Sequence, residues 1–234
     1  MDFLVFFERM IRIATKYSGF FGRGVVNTLI IAFFAVLLGT LLGTLLAVLK
    51  MGKFAPTRWL ATAYVEFVRG TPLMIQLMFI FYCLPMLNIT FPQIPFIPNS
   101  DRFAAAIFAM SLNSAAYVAE IIRSGIQAVD KGQFEAARSL GFKESQALRM
   151  VVLPQAIKNI LPALGNEFVT VIKESSIVSV IGIADLMYQA NGVIANTFIT
   201  LETLAVAAII YFIMTFVTSR LIAFAERKMA NGTR

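Results

Sequence analysis

Residues 135–141 read Glu135-Ala136-Ala137-Arg138-Ser139-Leu140-Gly141, and Val151-Val152-Leu153-Pro154 follows after a basic stretch. The segment is charged and rich in small residues, and it lies between two apolar runs. It reads as a short surface helix that presents a face to a partner. Glu135, Ala136 and Ala137 suit a first helical turn, where a carboxylate meets the positive end of the helix dipole. Gly141 suits the turn that ends the helix, where a left-handed backbone is needed. Pro154 suits the opening of the next helix, because a first-turn residue needs no amide donor. The apolar runs on either side make the chain a membrane protein: 59% of its 234 residues are hydrophobic, and several runs approach the roughly 20 residues needed to cross a bilayer.

Five spans are predicted, all helical: about Val25–Lys50, Trp59–Met86, Phe103–Gly125, Pro154–Ile181 and Thr203–Ala225. In the first, Gly39 and Gly43 stand at the small-xxx-small spacing that permits close helix contact. The second is interrupted by Arg69-Gly70-Thr71-Pro72, which predicts a kink or unwound turn tolerated only where protein or water surrounds it. A proline-rich loop, Pro85 to Pro98, follows. Residues 1–22 carry Glu8, Arg9, Arg12 and Lys16 among aromatics and read as an interfacial amphipathic segment. The membrane domain is placed at 23–228, with its charged loop at about 130–154, and a tail at 229–234. Residues 182–202 read as a linker.

The basic residues fall at Lys50, Lys53 and Arg58, at Lys131, Arg138, Lys143, Arg149 and Lys158, and at Arg227, Lys228 and Arg234. Alternation of five spans puts these three groups on one face, which the positive-inside rule makes cytoplasmic. The C-terminus is then cytoplasmic and the N-terminus outside, although Arg9, Arg12, Lys16 and Arg23 run against the rule. The net charge of +7 is that of basic loops rather than of a nucleic-acid surface, since stacking aromatics are not interleaved with it. The single cysteine, Cys83, has no internal partner for a disulfide and reads as a packing residue. With no histidine in the chain, histidine catalysis and nearly all zinc or haem sites are excluded. No Gly-x-x-x-x-Gly-Lys-Ser/Thr phosphate loop is present either.

Polar groups inside spans are costly and need a reason. Asn113, Tyr117, Glu120 and Ser124 share one face of the third span, and Glu167, Thr170 and Glu174 one face of the fourth. Two such stripes predict a shared hydrated cavity. Helix–helix bonding and ligand contact are both open for Asn113, Ser114 and Tyr117. Glu120, Lys173 and Glu174 lean to structure, the last two as packing or an internal ion pair. Glu167 is the best ligand candidate, because no basic residue adjoins it in sequence and a cationic ligand would offset the cost of burying it.

The order Glu-Ala-Ala, three residues, Gly, nine residues, an aliphatic, one residue, Leu-Pro resembles the loop signature of ABC importer permeases, with Val151 where that family often has Ile. The resemblance extends to Glu66-Phe67-Val68-Arg69-Gly70-Thr71-Pro72-Leu73 with Gln76, to Asn113 through Glu120, to Leu164-Gly165-Asn166-Glu167, and to Lys173-Glu174-Ser175. These look like motifs of the polar amino acid permeases, collinear from roughly Gly22 to Lys228. The resemblance implies an all-α type I importer fold of five transmembrane helices with a cytoplasmic coupling helix, in a prokaryotic cell membrane. It implies a second permease subunit, two ABC ATPase subunits that bind ATP and Mg, an extracytoplasmic amino-acid-binding protein, surrounding lipid, and no cofactor or catalysis in this chain. By position it implies substrate contacts at Asn113, Ser114, Tyr117 and Glu167, and ATPase coupling through Glu135, Ala136, Ala137, Gly141, Leu153 and Pro154. Lys143 departs from the Ser or Thr cap common in the family, so the second loop helix is expected to start at Ser145. A carboxylate at Glu167 favours arginine, lysine or histidine over a neutral amino acid such as glutamine. The rival classes are a secondary transporter, for which no internal repeat is visible, a membrane-embedded enzyme, for which no nucleophile pair is present, and a channel.

Overall fold

The computed structural model describes residues 3–95 and 99–231, with side chains to 228. Pro98 and half of the tail placed at 229–234, Arg234 included, lie outside the described residues. The described chain is all-α and contains no strand. Its helices are α1 (Phe3–Lys16), α2 (Ser18–Met51), α3 (Ala55–Gly70), α4 (Leu73–Met86), α5 (Ser100–Gln127), α6 (Lys131–Ser139), α7 (Glu144–Ile181), α8 (Leu186–Thr197) and α9 (Thr200–Asn231). Helices α2, α5 and α9 are each long and apolar enough to cross a membrane. The pairs α3–α4, bent by 107°, and α7–α8, bent by 51°, bring the count to five when each pair is taken as one span.

Several boundaries move. The amphipathic segment ends at Lys16 rather than residue 22, and α2 starts at Ser18 rather than Val25, because Gly19 and Gly22 sit in open space and let the helix run on. The expected linker 182–202 holds α8. Gly182 (φ 79°) turns the chain, and the buried Asp185 carboxylate then caps α8 by accepting from the amides of Met187 (3.2 Å) and Tyr188 (2.9 Å). The Tyr211 hydroxyl donates to the same carboxylate at 3.3 Å, and Thr28 Oγ1 accepts from the Leu186 amide at 3.2 Å. These buried bonds tie α8 to α9 and α2.

Pro154 does not open a helix; α7 passes through it. A π-helical turn, Leu148–Val152, ends two residues before Pro154, and a second, Phe79–Cys83, ends two residues before Pro85. Proline lacks an amide donor, and its ring presses on the carbonyl four residues back. Those carbonyls, of Met150 and Phe81, fall inside the widened turns, so the helix absorbs each proline without breaking.

The core runs along α2, α5, α7 and α9 and is built on small residues. Gly39 and Gly43 face α5 as the spacing predicts: a Cβ on Gly43 would lie 2.7 Å from the Ala115 carbonyl oxygen and 2.7 Å from Val118 Cβ. Helix α1 lies against α9, where Arg9 Nη1 approaches the buried Glu202 carboxylate at 3.7 Å. Arg12 pairs with Glu8 at 2.8 Å. Two of the four N-terminal positive charges that run against the charge rule are thus neutralised within the chain.

Candidate functional site

The helix break and the polar stripe of α5 form one bonded unit. Thr71 and Pro72 are extended, so α3 stops at Gly70. In an unbroken helix the carbonyl of Val68 would accept from residue 72, but Pro72 has no N–H. Gln76 replaces it: its Nε2 donates to the Val68 carbonyl at 2.8 Å, to the Thr71 carbonyl at 3.1 Å and to Thr71 Oγ1 at 2.8 Å. The Thr71 hydroxyl in turn donates to the Phe67 carbonyl at 2.9 Å. Gln76 Oε1 accepts from Asn113 Nδ2 at 3.0 Å. Asn113 is therefore a neighbour of the Gly70-Thr71-Pro72 break, a link that sequence spacing does not reveal.

One residue along α5, the Ser114 hydroxyl donates to Glu167 Oε1 at 2.9 Å. Asn113, Ser114 and Glu167 are 5%, 1% and 9% exposed, so the carboxylate lies inside the bundle. No basic side chain pairs with Glu167 among the described residues. Tyr117, one turn further on, is exposed, and the Arg69 guanidinium lies over its ring at 5.5 Å. The structure thus joins Ser114 to Glu167 directly and Asn113 to Gln76, and it faces Tyr117 toward Arg69.

Glu120 is a structural residue, as its position near the span end suggests. Its carboxylate takes Lys50 Nζ from α2 at 2.5 Å and Arg123 at 2.7 Å, with Arg69 of α3 at 3.9 Å. Lys50 also lies 3.8 Å from Glu66. Lys50, read from sequence as a loop charge, is a half-buried tie between three helices. Lys173 and Glu174 form no ion pair among the described residues; neighbours at i,i+1 point about 100° apart on a helix.

In the charged loop, α6 starts at Lys131, four residues before Glu135. The Asp130 carboxylate caps it by accepting from the Gly132 amide at 2.7 Å. Its end is a Schellman turn: the Phe142 amide donates to Ala137 O (3.2 Å) and the Gly141 amide to Arg138 O (3.0 Å), with Gly141 at φ 89°. The next helix starts at Glu144 rather than Ser145, where the Gln146 side chain accepts from the Lys143 amide at 2.9 Å, the half of a capping box that needs no Ser or Thr at the cap. Glu135, Ala136 and Pro154 are exposed, whereas Ala137 faces inward and Leu153 is half-buried. Leu140, 80% exposed, and Met150, 63% exposed, add apolar surface that the sequence reading missed. Phe134 packs on Val129, Val152, Ala156 and Ile160, so the loop is fastened to α5 and α7.

Comparison with known proteins gives one answer. Residues 39–231 match the family model for the binding-protein-dependent transport system inner membrane component. The chain is 44% identical over 210 residues to the arginine transport system permease protein ArtQ of Bacillus subtilis (strain 168), covering 90% of this chain and 92% of that one. It is 41% identical to the putative glutamine transport system permease protein GlnP of Rickettsia conorii (strain ATCC VR-613 / Malish 7), covering 95% and 98%. A crystal structure of an amino acid ABC transporter with histidines superposes with a TM-score of 0.84 at 46% identity, over 97% of this chain and 99% of that one.

Proposed function

Because the chain belongs to the family of binding-protein-dependent transport system inner membrane components, as the permease subunit of an ABC amino acid importer, we propose that it carries basic amino acids: arginine, lysine or histidine. The observation that carries this reading is the buried Glu167 carboxylate, bonded to Ser114 and without a basic partner among the described residues. A buried carboxylate is stable when a cation meets it, and a transported cation meets it only in passing. Asn113, Ser114, Tyr117 and Glu167 are the proposed contacts. The relative named for arginine and the structure with histidines support this reading; those named for glutamine supply the second one, in which a neutral polar side chain bonds to Asn113 and Ser114.

The test is Glu167→Gln in proteoliposomes holding the whole transporter. Arginine uptake should fall about tenfold or more, the worth of a hydrogen bond to a charged group. Undiminished arginine uptake, or a wild type that moves glutamine and not arginine, overturns the basic-substrate reading.

In this reading two copies of the chain form the pore, a binding protein delivers substrate from outside, and two ATPase subunits carry ATP and Mg. The N-terminus lies outside and the C-terminus in the cytoplasm of a prokaryotic cell. The loop docks on the ATPase through Glu135, Ala136 and the flanking Leu140. Ala137 and Leu153 hold that surface on the bundle, with Pro154 at its edge, so closure of the ATPases moves α5 and α7 as rigid bodies. Gly141→Val is the test of coupling. A Cβ there meets nothing within 4 Å, so the change acts through the backbone alone, which at φ 89° disfavours a β-branched residue by about 2 kcal/mol. ATP hydrolysis should continue while uptake per ATP falls severalfold, with the spans still folded. Normal coupled uptake would refute the docking assignment.

A further inference from the structure

We propose that a polar crevice between the ends of α2 and α5 and the start of α3 seats the phosphate of an anionic phospholipid. None of its residues is a proposed substrate contact or part of the charged loop.

The crevice has a volume of about 700 Å³. Its charged lining is Lys50 from α2, Arg58 and Glu66 from α3, and Glu120 and Arg123 from α5, which leaves one positive charge in excess. The pairs inside it show where that excess lies. Glu120 takes Lys50 at 2.5 Å and Arg123 at 2.7 Å, and Glu66 stands 3.8 Å from Lys50. Arg123 Nη1 also donates to Gln127 Oε1 at 2.6 Å. Arg58 lines the same space and forms no ion pair among the described residues. Its planar fork of N–H donors matches the oxygens of a phosphate.

What the phosphate is attached to follows from the turn of α3. Each residue advances the face by about 100°, so Arg58, Thr62 and Glu66 fall within about 80° of one another, on the crevice side. Leu60, Ala63 and Phe67 fall within about 60° on the adjoining side, and all three are exposed. Trp59, exposed as well, lies on the border between the two faces and lines the crevice. A charged face beside an exposed apolar stripe fits an amphiphile, with its head in the crevice and a chain along the stripe. A soluble phosphate would leave the stripe bare. An indole is at home where head groups meet chains. Lys50 lies in the last turn of α2, so the crevice sits at a span end, the one that the basic residues mark as cytoplasmic. The lipids of that leaflet supply negative charge. An anionic head balances the excess charge of the lining, whereas a choline head would bring its own cation to Arg58.

The whole transporter is to be held in nanodiscs of phosphatidylcholine with a minor share of phosphatidylglycerol of the same chains. Release into detergent and native mass spectrometry then count the lipids that stay bound. Wild type should retain phosphatidylglycerol about tenfold above its share of the disc, the worth of a bond to a charged group. Arg58→Gln should lose most of that enrichment. Arg58→Lys, which keeps the charge without the fork, should keep part of it. Lys53→Gln removes an exposed charge of the same loop that does not line the crevice, and should hold the enrichment within about twofold. An excess of glycerophosphoglycerol, the head group without its chains, should displace none of the bound lipid. No enrichment in wild type, or full enrichment in Arg58→Gln, overturns the site. An equal loss in Lys53→Gln and Arg58→Gln overturns it too, because general surface charge then holds the lipid. Displacement by glycerophosphoglycerol overturns the lipid and makes the crevice a seat for a soluble phosphate.

Discussion

Glu120→Leu is expected to destabilise the bundle by about 2 kcal/mol, because it leaves a half-buried cation without its counter-charge. Lys50 is 13% exposed at its side chain and Arg123 32%, and both point at the Glu120 carboxylate from packed helix ends. Removing the carboxylate strands Lys50 in the interface of α2, α3 and α5, with Glu66 3.8 Å away and 68% exposed as its remaining acid. The more exposed Arg69 and Arg123 contribute less, since water screens them. The thermal unfolding midpoint of the purified protein should drop by several degrees, with loss of yield from membranes. Adding Lys50→Met to Glu120→Leu should recover part of the loss, because removing both charges replaces an orphaned ion with an apolar contact. A Glu120→Leu protein as stable as wild type would show that the three helices do not depend on this pair.

Gly43→Val is expected to be at least as damaging, through packing rather than charge. The new Cβ would fall 2.7 Å from the Ala115 carbonyl oxygen. That oxygen belongs to the backbone of α5 and cannot rotate away, so α2 must shift bodily. Overpacking of this kind costs about 1–3 kcal/mol where side chains give way, and more where a backbone must. Because a Cβ on Gly39 would meet Ser114 Cβ at 2.8 Å, the same shift disturbs the Ser114–Glu167 bond. Arginine binding should therefore weaken along with stability. Gly22→Ala, whose Cβ meets nothing within 4 Å, is the matched control and should be neutral or slightly stabilising. Wild-type stability in Gly43→Val would mean that α2 and α5 do not pack this closely.

Much of the fold is legible in the chain because the signals are local. A run of about 20 apolar residues needs no partner to declare a span. Gly70-Thr71-Pro72 breaks a helix through the missing amide of Pro72, and Gly141 ends one through its positive φ. Local chemistry also misleads. Glu135 looks like a helix start, but Asp130 is the better cap, and Pro154 looks like an opening residue until the π turn before it is seen. Helix α8 is hidden because its cap, Asp185, depends on burial against Thr28 and Tyr211, which are far away in sequence.

The sequence by itself determined the apolar segments, the site of the helix break, the charged loop and the family these imply. The tertiary structure alone decided that Lys50 pairs with Glu120, that Ser114 reaches Glu167, and that Asn113 bonds to Gln76. The reason is geometric. Each residue advances a helix face by about 100°, so a few degrees of rotation about the axis choose which side chains meet. That rotation is set by close contacts such as Gly43 on Ala115, between residues that lie far apart along the chain.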